Sequence, residues 1–196
     1  NLGRVRATLD EIGAADDTLV IYTSDHGSHF CTRNSEYKRS PHDGCLRIPM
    51  IACGPGFSGG QVESGIASLI DIPATFLRAA GIPTPESYRG RPLQELVGGA
   101  EDWPEEAFAQ ISESQTGRCV RTLKWTYSVS VPERRVRSDV YFEEFLYDNE
   151  ADPHQRTNLV RDPDYADVRA ELCETLKRRM AEAGEDQAEV RVAGEE

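Results

Sequence analysis

The chain has 196 residues, a formal net charge of −12, a hydrophobic fraction of 38 % and an aromatic fraction of 8 %. That apolar content fills a core and excludes wholesale disorder, while the acidic surplus argues against a nucleic-acid binder, whose affinity comes from clustered Lys and Arg. No apolar run reaches the roughly 18–20 residues that a membrane-spanning helix needs, so no membrane partner is expected, and Asn1-Leu2-Gly3-Arg4 carries no signal-peptide pattern.

Val5, Leu9 and Ile12 recur at helical spacing, with Gly13 placed to close the helix. The pattern is already running at residue 2, which reads as a helix entered part-way. Asp16-Asp17 then turns the chain into 18–23, an almost continuously apolar run suited to a strand buried on both faces of a parallel sheet. A second strand, 48–53, ends at Gly54-Pro55-Gly56. Asp71 is placed to cap a helix through Ala80, with Pro73 in its first turn and Gly81 after its end. This order predicts an α/β layer architecture. Residues 83–103, rich in Pro, Gly and Glu, read as a connecting segment. Beyond it, 107–113, 119–131 and 140–147 read as short antiparallel strands. A helix is expected over 165–183, with Val168, Leu172, Leu176 and Met180 on one stripe. The acidic stretch 182–196 reads as a solvated, frayed end. Two domains are expected, 1–104 and 105–196.

Cys31, Cys45, Cys53, Cys119 and Cys173 are odd in number and irregularly spaced, without a CxxC pair. They read as reduced, mostly buried thiols rather than a disulfide framework or a zinc site, which leans the chain towards the cytoplasm.

The sharpest local signal is Thr23-Ser24-Asp25-His26-Gly27, directly after the first strand. Ligand sites of open α/β sheets lie at the carboxyl ends of strands. A carboxylate and an imidazole are both metal ligands, and Gly27 permits the turn that would bring them together. On spacing alone, a helix cap beside a surface His explains these residues equally well.

The ordered set of motifs alters that balance. Ser24-Asp25-His26-Gly27 is followed by Glu36-Tyr37-Lys38-Arg39-Ser40-Pro41-His42-Asp43, Leu46-Arg47-Ile48-Pro49-Met50-Ile51 and Gly54-Pro55-Gly56. Ser68-Leu69-Ile70-Asp71-Ile72-Pro73-Ala74-Thr75-Phe76-Leu77 comes next, and Leu146-Tyr147-Asp148-Asn149-Glu150-Ala151-Asp152-Pro153-His154-Gln155-Arg156-Thr157-Asn158-Leu159 later. Together they resemble the sulfatase family of the alkaline-phosphatase-like superfamily over about residues 1–180. The resemblance implies part of a mixed α/β sheet flanked by helices, then a small C-terminal antiparallel sheet with a packed helix.

Carried over residue by residue, the resemblance makes Asp25 and His26 ligands of an active-site Ca2+, which prefers oxygen donors. It makes Lys38 a catalytic cation beside a sulfate oxygen, where positive charge is worth most as the transition state forms. His42 falls in the segment facing substrate, as a residue to protonate or bind the departing alcohol. His29 and Arg118 are candidate substrate contacts on the same cleft; for Arg118 and Arg121 the competing reading is solvated arginines on an edge hairpin.

Other family features are absent from this sequence. Sulfatases use a formylglycine made from a C/S-x-P-x-R motif, a nucleophile acting covalently; the nearest run, Cys53-Gly54-Pro55-Gly56-Phe57, has Phe in place of Arg. The first pair of metal aspartates is missing too, and one Asp with one His cannot hold an ion that takes about 6–8 oxygen-rich ligands. The resemblance therefore implies the C-terminal portion of a sulfatase acting on a small-molecule or carbohydrate sulfate ester, incomplete by itself. A metal-dependent phosphodiester or phosphonate hydrolase of the same superfamily, and a short non-catalytic binding module, are the competing readings. Nothing in the sequence sets an oligomeric state.

Overall fold

The computed structural model describes residues 1–57, 59–113, 115–131 and 137–192. In chain order its elements are α1 (Leu2–Glu11), β1 (Val20–Thr23), α2 (Asp43–Leu46), β2 (Met50–Cys53), α3 (Asp71–Ala79), α4 (Leu93–Val97), β3 (Glu106–Ile111), β4 (Thr116–Thr122), β5 (Trp125–Val131), β6 (Val140–Asp148), α5 (Ala166–Glu182) and β7 (Glu189–Arg191). They form two compact units, one of residues 1–25 and 48–104, the other of 26–47 and 105–196. No helix among the described residues is long and apolar enough to cross a membrane.

In the first unit β1 and β2 pair antiparallel, with Val20 opposite Cys53 and Thr23 opposite Met50. This corrects the parallel, doubly buried arrangement expected from the apolar runs. Neither strand, nor α1, contains a buried residue, and Tyr22 and Ile51 stand exposed. An unbroken apolar run reports that both faces of a strand suit cover; it does not fix the direction of the neighbour.

The helices of this unit are tied more firmly. Thr75 Oγ1 donates to the Asp71 carbonyl at 2.8 Å and accepts from the Leu93 N–H at 2.9 Å, while Gln94 Nε2 donates to the Thr75 carbonyl at 3.1 Å. Asp71 is the first helical residue of α3 rather than its cap. Its buried carboxylate accepts from the Ser68 N–H at 2.7 Å and the Arg91 N–H at 2.9 Å, so it satisfies donors of the flanking loops. α4 lies inside the segment expected to be a connector. Local stability follows local burial. Amide protons of β1 and β2 in the isolated chain should therefore exchange at least about 30-fold faster than those of the buried strands β4 and β5, a gap of about 2 kcal/mol in opening free energy. Equal protection in a hydrogen-exchange experiment would refute this.

The second unit is built on a sheet of order β3-β4-β5-β6-β7, antiparallel throughout except for β7, which runs parallel to β6. The stretch 119–131, expected as one strand, is a hairpin turning at Leu123-Lys124. β7 falls inside the acidic stretch expected to be frayed; residues 193–196 of that stretch lie outside the described residues.

α5 covers one face of this sheet. Its Leu172, Leu176 and Met180 pack with Val120, Tyr127, Val129, Tyr141 and Leu146, as the 3.6-residue stripe anticipated. Burying each such side chain contributes about 1.5–3 kcal/mol. The opposite face carries Thr126, Ser128, Phe145 and Tyr147, and receives segment 26–47 through the contacts described below. A register shift makes this division possible: Ser128 pairs with Phe145 and Val129 with Glu143, leaving Glu144 as an extra residue. The bulge changes the parity of β6. Tyr141 and Leu146 consequently join the same core although their spacing is odd. All five cysteines are free thiols; Cys45 and Cys119 are buried, and burial pushes the Cys119 thiol far above its ordinary pKa, whereas Cys31 is exposed.

Candidate active site

The Ser24-Asp25-His26-Gly27 run leaves β1 directly. Ser24 Oγ lies 3.4 Å from Asp25 Oδ1. Gly27 then passes so close to Gly44 that a Cβ there would stand 2.1 Å from the Gly44 carbonyl oxygen. Its N–H donates to the Cys45 carbonyl at 2.8 Å. Only glycine fits this approach, which stacks the start of the loop on α2.

The loop after Gly27 carries Lys38. His26 Nδ1 lies 2.7 Å from the Gly27 carbonyl, an atom that only accepts, so this nitrogen holds the proton. Nε2 is then the acceptor, and Lys38 Nζ donates to it at 2.9 Å. The Tyr37 ring completes the group, 5.9 Å from the His26 ring and 5.5 Å from Lys38 Nζ, a separation suited to cation–π attraction. The structure therefore brings Lys38 and His26 together. Asp25, where the first segment of the first unit ends, precedes His26 in sequence.

The loop is anchored at several points to the sheet. Arg33 forks onto two consecutive carbonyls, Gln155 O at 2.7 Å and His154 O at 2.5 Å. Gln155 is buried and left-handed, with φ 51°. Its side chain accepts from the Asp43 N–H at 2.8 Å and donates to Thr126 Oγ1 at 3.0 Å and Asn149 Oδ1 at 2.9 Å. Arg121 grips the Asp43 carboxylate with two bonds of 2.8 and 3.0 Å, so it is neither solvated nor aimed at a ligand. Asp148 and Asp152 serve as turn residues, as expected. Asp148 Oδ1 accepts from the N–H groups of Glu150 and Ala151, both at 3.0 Å, and Asp152 Oδ2 from those of Arg156 at 2.5 Å and Thr157 at 2.8 Å. Those donors hold the Asp152 carboxyl below its ordinary pKa. The 146–159 motif is thus a socket for the lysine loop. Sequence reading assigned it no such part, because its partners lie more than a hundred residues away.

Three other expected site residues are placed in interior positions. His29 is buried, its Nε2 lying 3.2 Å from the Lys38 carbonyl. His42 is buried beneath Phe145 and Tyr147, with ring centroids at 4.9 and 5.4 Å. Its Nδ1 meets Ser40 Oγ at 3.0 Å and its Nε2 the Tyr147 hydroxyl at 3.1 Å, so neither nitrogen is offered to a substrate. Arg118 is 2 % exposed and ion-paired with Glu185 at 2.6 Å. It faces the α5 side of the sheet with Val120, which corrects both the substrate-contact and the solvated readings.

Burial, reinforced by Arg33 and His29, lowers the His42 pKa to about 4. A folded pKa below the unfolded value of about 6.5 means that the unfolded chain takes up the proton first. The contribution of neutral His42 is complete above about pH 6.5 and is lost as pH falls to about 4, a loss of about 2–3 kcal/mol. Urea unfolding followed from pH 7.5 to 4.5 should show that slope in the wild type and a flatter one in His42→Gln; parallel curves would contradict it.

Among the described residues no group of three or more His, Cys, Asp or Glu side chains is arranged to hold a metal ion. One carboxylate and one imidazole, the latter engaged by Lys38, fall short of a calcium site. Asp25 and His26 fit calcium only as part of a set completed by other residues.

A family model described as Sulfatase matches residues 1–82. The multifunctional alkaline phosphatase superfamily protein PehA of Trinickia caryophylli is 34 % identical over 177 residues, covering 84 % of this chain and 34 % of that protein. The N-acetylglucosamine-6-O-sulfatase of Bacteroides thetaiotaomicron is 29 % identical over 187 residues, 90 % of this chain and 32 % of its own length. A solved structure of a protein in complex with its substrate D-glucosamine-2-N,6-O-disulfate matches with a TM-score of 0.81 at 25 % identity, over 94 % of this chain and 38 % of that one. The phosphonate monoester hydrolase of Agrobacterium radiobacter matches with a TM-score of 0.76 at 28 % identity, over 92 % and 38 %. The chain spans about a third of the length of the curated relatives it matches. On these similarities, and on the ordered motifs around Asp25, Lys38 and the 146–159 socket, the chain belongs to the sulfatase family of the alkaline-phosphatase-like superfamily.

Proposed function

We propose that this chain supplies one portion of a sulfatase that hydrolyses a sulfate ester to an alcohol and inorganic sulfate. The observation that carries the reading is the Lys38 ammonium held 2.9 Å from His26 Nε2, on the segment that follows the strand ending at Thr23. A cation within reach of the transferring group stabilises negative charge as it gathers there. Formylglycine and Ca2+ would supply the nucleophile and the charge neutralisation, both completed by residues other than these 196. Asp25 would give calcium a carboxylate oxygen and His26 an imidazole nitrogen, the Lys38 ammonium moving from that nitrogen to the sulfate. His42 and Arg118 hold the scaffold in this reading, and neither donates a proton or binds substrate. A sulfated amino sugar is the favoured substrate class, supported by the disulfated glucosamine bound to a similar protein.

The similarity to a phosphonate monoester hydrolase sustains one rival. The complete enzyme carrying this chain should turn over p-nitrophenyl sulfate at least about tenfold faster than a phenyl phosphonate monoester, a margin that differential transition-state binding readily provides. It should also contain one calcium per active site by elemental analysis. Preference for the phosphonate, with bound zinc, would overturn the assignment.

A further inference from the structure

A lysine on a loop is useful to a reaction only if its backbone is fixed, because the ammonium ends a flexible four-carbon stem. His29 provides that fixation. Its N–H donates to the Tyr37 carbonyl at 2.9 Å and its Nε2 lies 3.2 Å from the Lys38 carbonyl. One residue therefore holds the carbonyls on both sides of the Lys38 Cα.

The arrangement is specific about which atom matters. A carbonyl only accepts, so His29 Nε2 carries the proton and donates it. Nδ1 is then a bare lone pair, buried and without a hydrogen-bond partner. The side chain is part of a residue only 5 % exposed. Burying a polar atom unpaired is unfavourable, and an apolar ring of the same size would avoid it. What histidine adds here is the Nε2 donor.

The surrounding backbone is bent to present both of its donors. Phe30 and Cys31 are left-handed, with φ 52° and 59°, although neither is glycine. Such positions are held only where the surroundings over-determine them. Thr32 closes the bend, its N–H and Oγ1 both donating to the His29 carbonyl, at 3.0 and 2.6 Å. On the far side of Lys38, Arg39 is also left-handed at φ 67°, and Asn34 Nδ2 donates to its carbonyl at 3.3 Å. Arg39 in turn pairs with Glu36 and Glu113.

We infer that His29 is a positioning residue for the reaction: through the Lys38 carbonyl it sets where the Lys38 ammonium stands, and it does not itself meet substrate. The inference rests on the sulfatase reading of Lys38. The test is steady-state kinetics of the complete enzyme on p-nitrophenyl sulfate for His29→Phe, His29→Gln and His29→Asn, with Lys38→Ala alongside. His29→Phe keeps the ring volume and removes the donor, and should lower kcat about 10–100-fold, the scale of a misplaced catalytic group. KM should stay within about threefold, since no substrate contact is lost.

His29→Gln places an amide N–H where Nε2 stood, whereas His29→Asn is too short to reach the carbonyl. Gln should therefore exceed Asn in kcat by about tenfold, and this comparison decides even if His29→Phe fails to fold. Equal rates for Gln and Asn would show packing alone. A raised KM with unchanged kcat in His29→Phe would make His29 a substrate contact. Either result overturns the inference. If Lys38→Ala keeps the wild-type rate, the sulfatase reading itself has failed; if Lys38→Ala loses activity and His29→Phe does not, only the positioning role has.

Discussion

Lys38→Ala in the complete enzyme should lower kcat/KM for a sulfate ester by about 10²–10³-fold, the effect of removing one preorganised electrostatic contact to a transition state. The lysine sits against His26 Nε2 at 2.9 Å and beside the Tyr37 ring at 5.5 Å. It is partly sheltered from water, where a charge interacts more strongly than on an open surface. It supports little of the fold, so the unfolding free energy of the variant should change by no more than about 0.5 kcal/mol. Lys38→Arg keeps the charge but cannot place it at the same point, and should recover less than about a tenth of the lost activity. Wild-type rates in Lys38→Ala would remove the residue from the mechanism.

Arg118 carries the largest expected effect on stability. Its guanidinium donates to Glu185 at 2.6 Å and to the Gly117 carbonyl at 2.7 Å, and lies over the Tyr141 ring at 5.6 Å. Gln110 also donates to Glu185. Removing one member of such a pair leaves the other charge buried alone, which typically destabilises by about 3–5 kcal/mol. Arg118→Ala and Glu185→Ala should each cost that much by urea unfolding of this chain, whereas Arg118→Met with Glu185→Leu should cost far less than the sum, because no lone charge remains. A change below about 1 kcal/mol in Arg118→Ala, with a raised KM for substrate, would restore the substrate-contact role.

The residues that the sequence made legible are those whose signal is local. Leu172, Leu176 and Met180 declare α5 by spacing alone, and the Ser24–Gly27 and Glu36–Asp43 motifs located the lysine loop. The failures at His42 and Arg118 share a physical origin in partners remote along the chain. His42 looks like a proton donor until Tyr147, 105 residues away, takes its Nε2. Arg118 looks like a surface arginine until Glu185, 67 residues on, covers it. Val140–Asp148 cannot be divided into faces by alternation, because the extra residue at Glu144 reverses the parity halfway along. The apolar runs of β1 and β2 were recognisable as strands, but the antiparallel direction of their pairing depends on the path of the chain between them.

The Arg33 fork onto His154 and Gln155 has a consequence for how the protein is made. Those carbonyls lie 121 and 122 residues beyond the arginine. Ribosomes add about 5–20 residues per second, so the lysine loop exists for roughly 6–24 s before its anchor has been synthesised. Through that interval the left-handed bends at Phe30, Cys31 and Arg39 have only contacts within the loop, from Thr32, Asn34 and Glu36, to hold them. A message cut short before the codon for His154 would yield a polypeptide that contains every residue of the Asp25–Lys38 motif yet lacks the anchor of its loop.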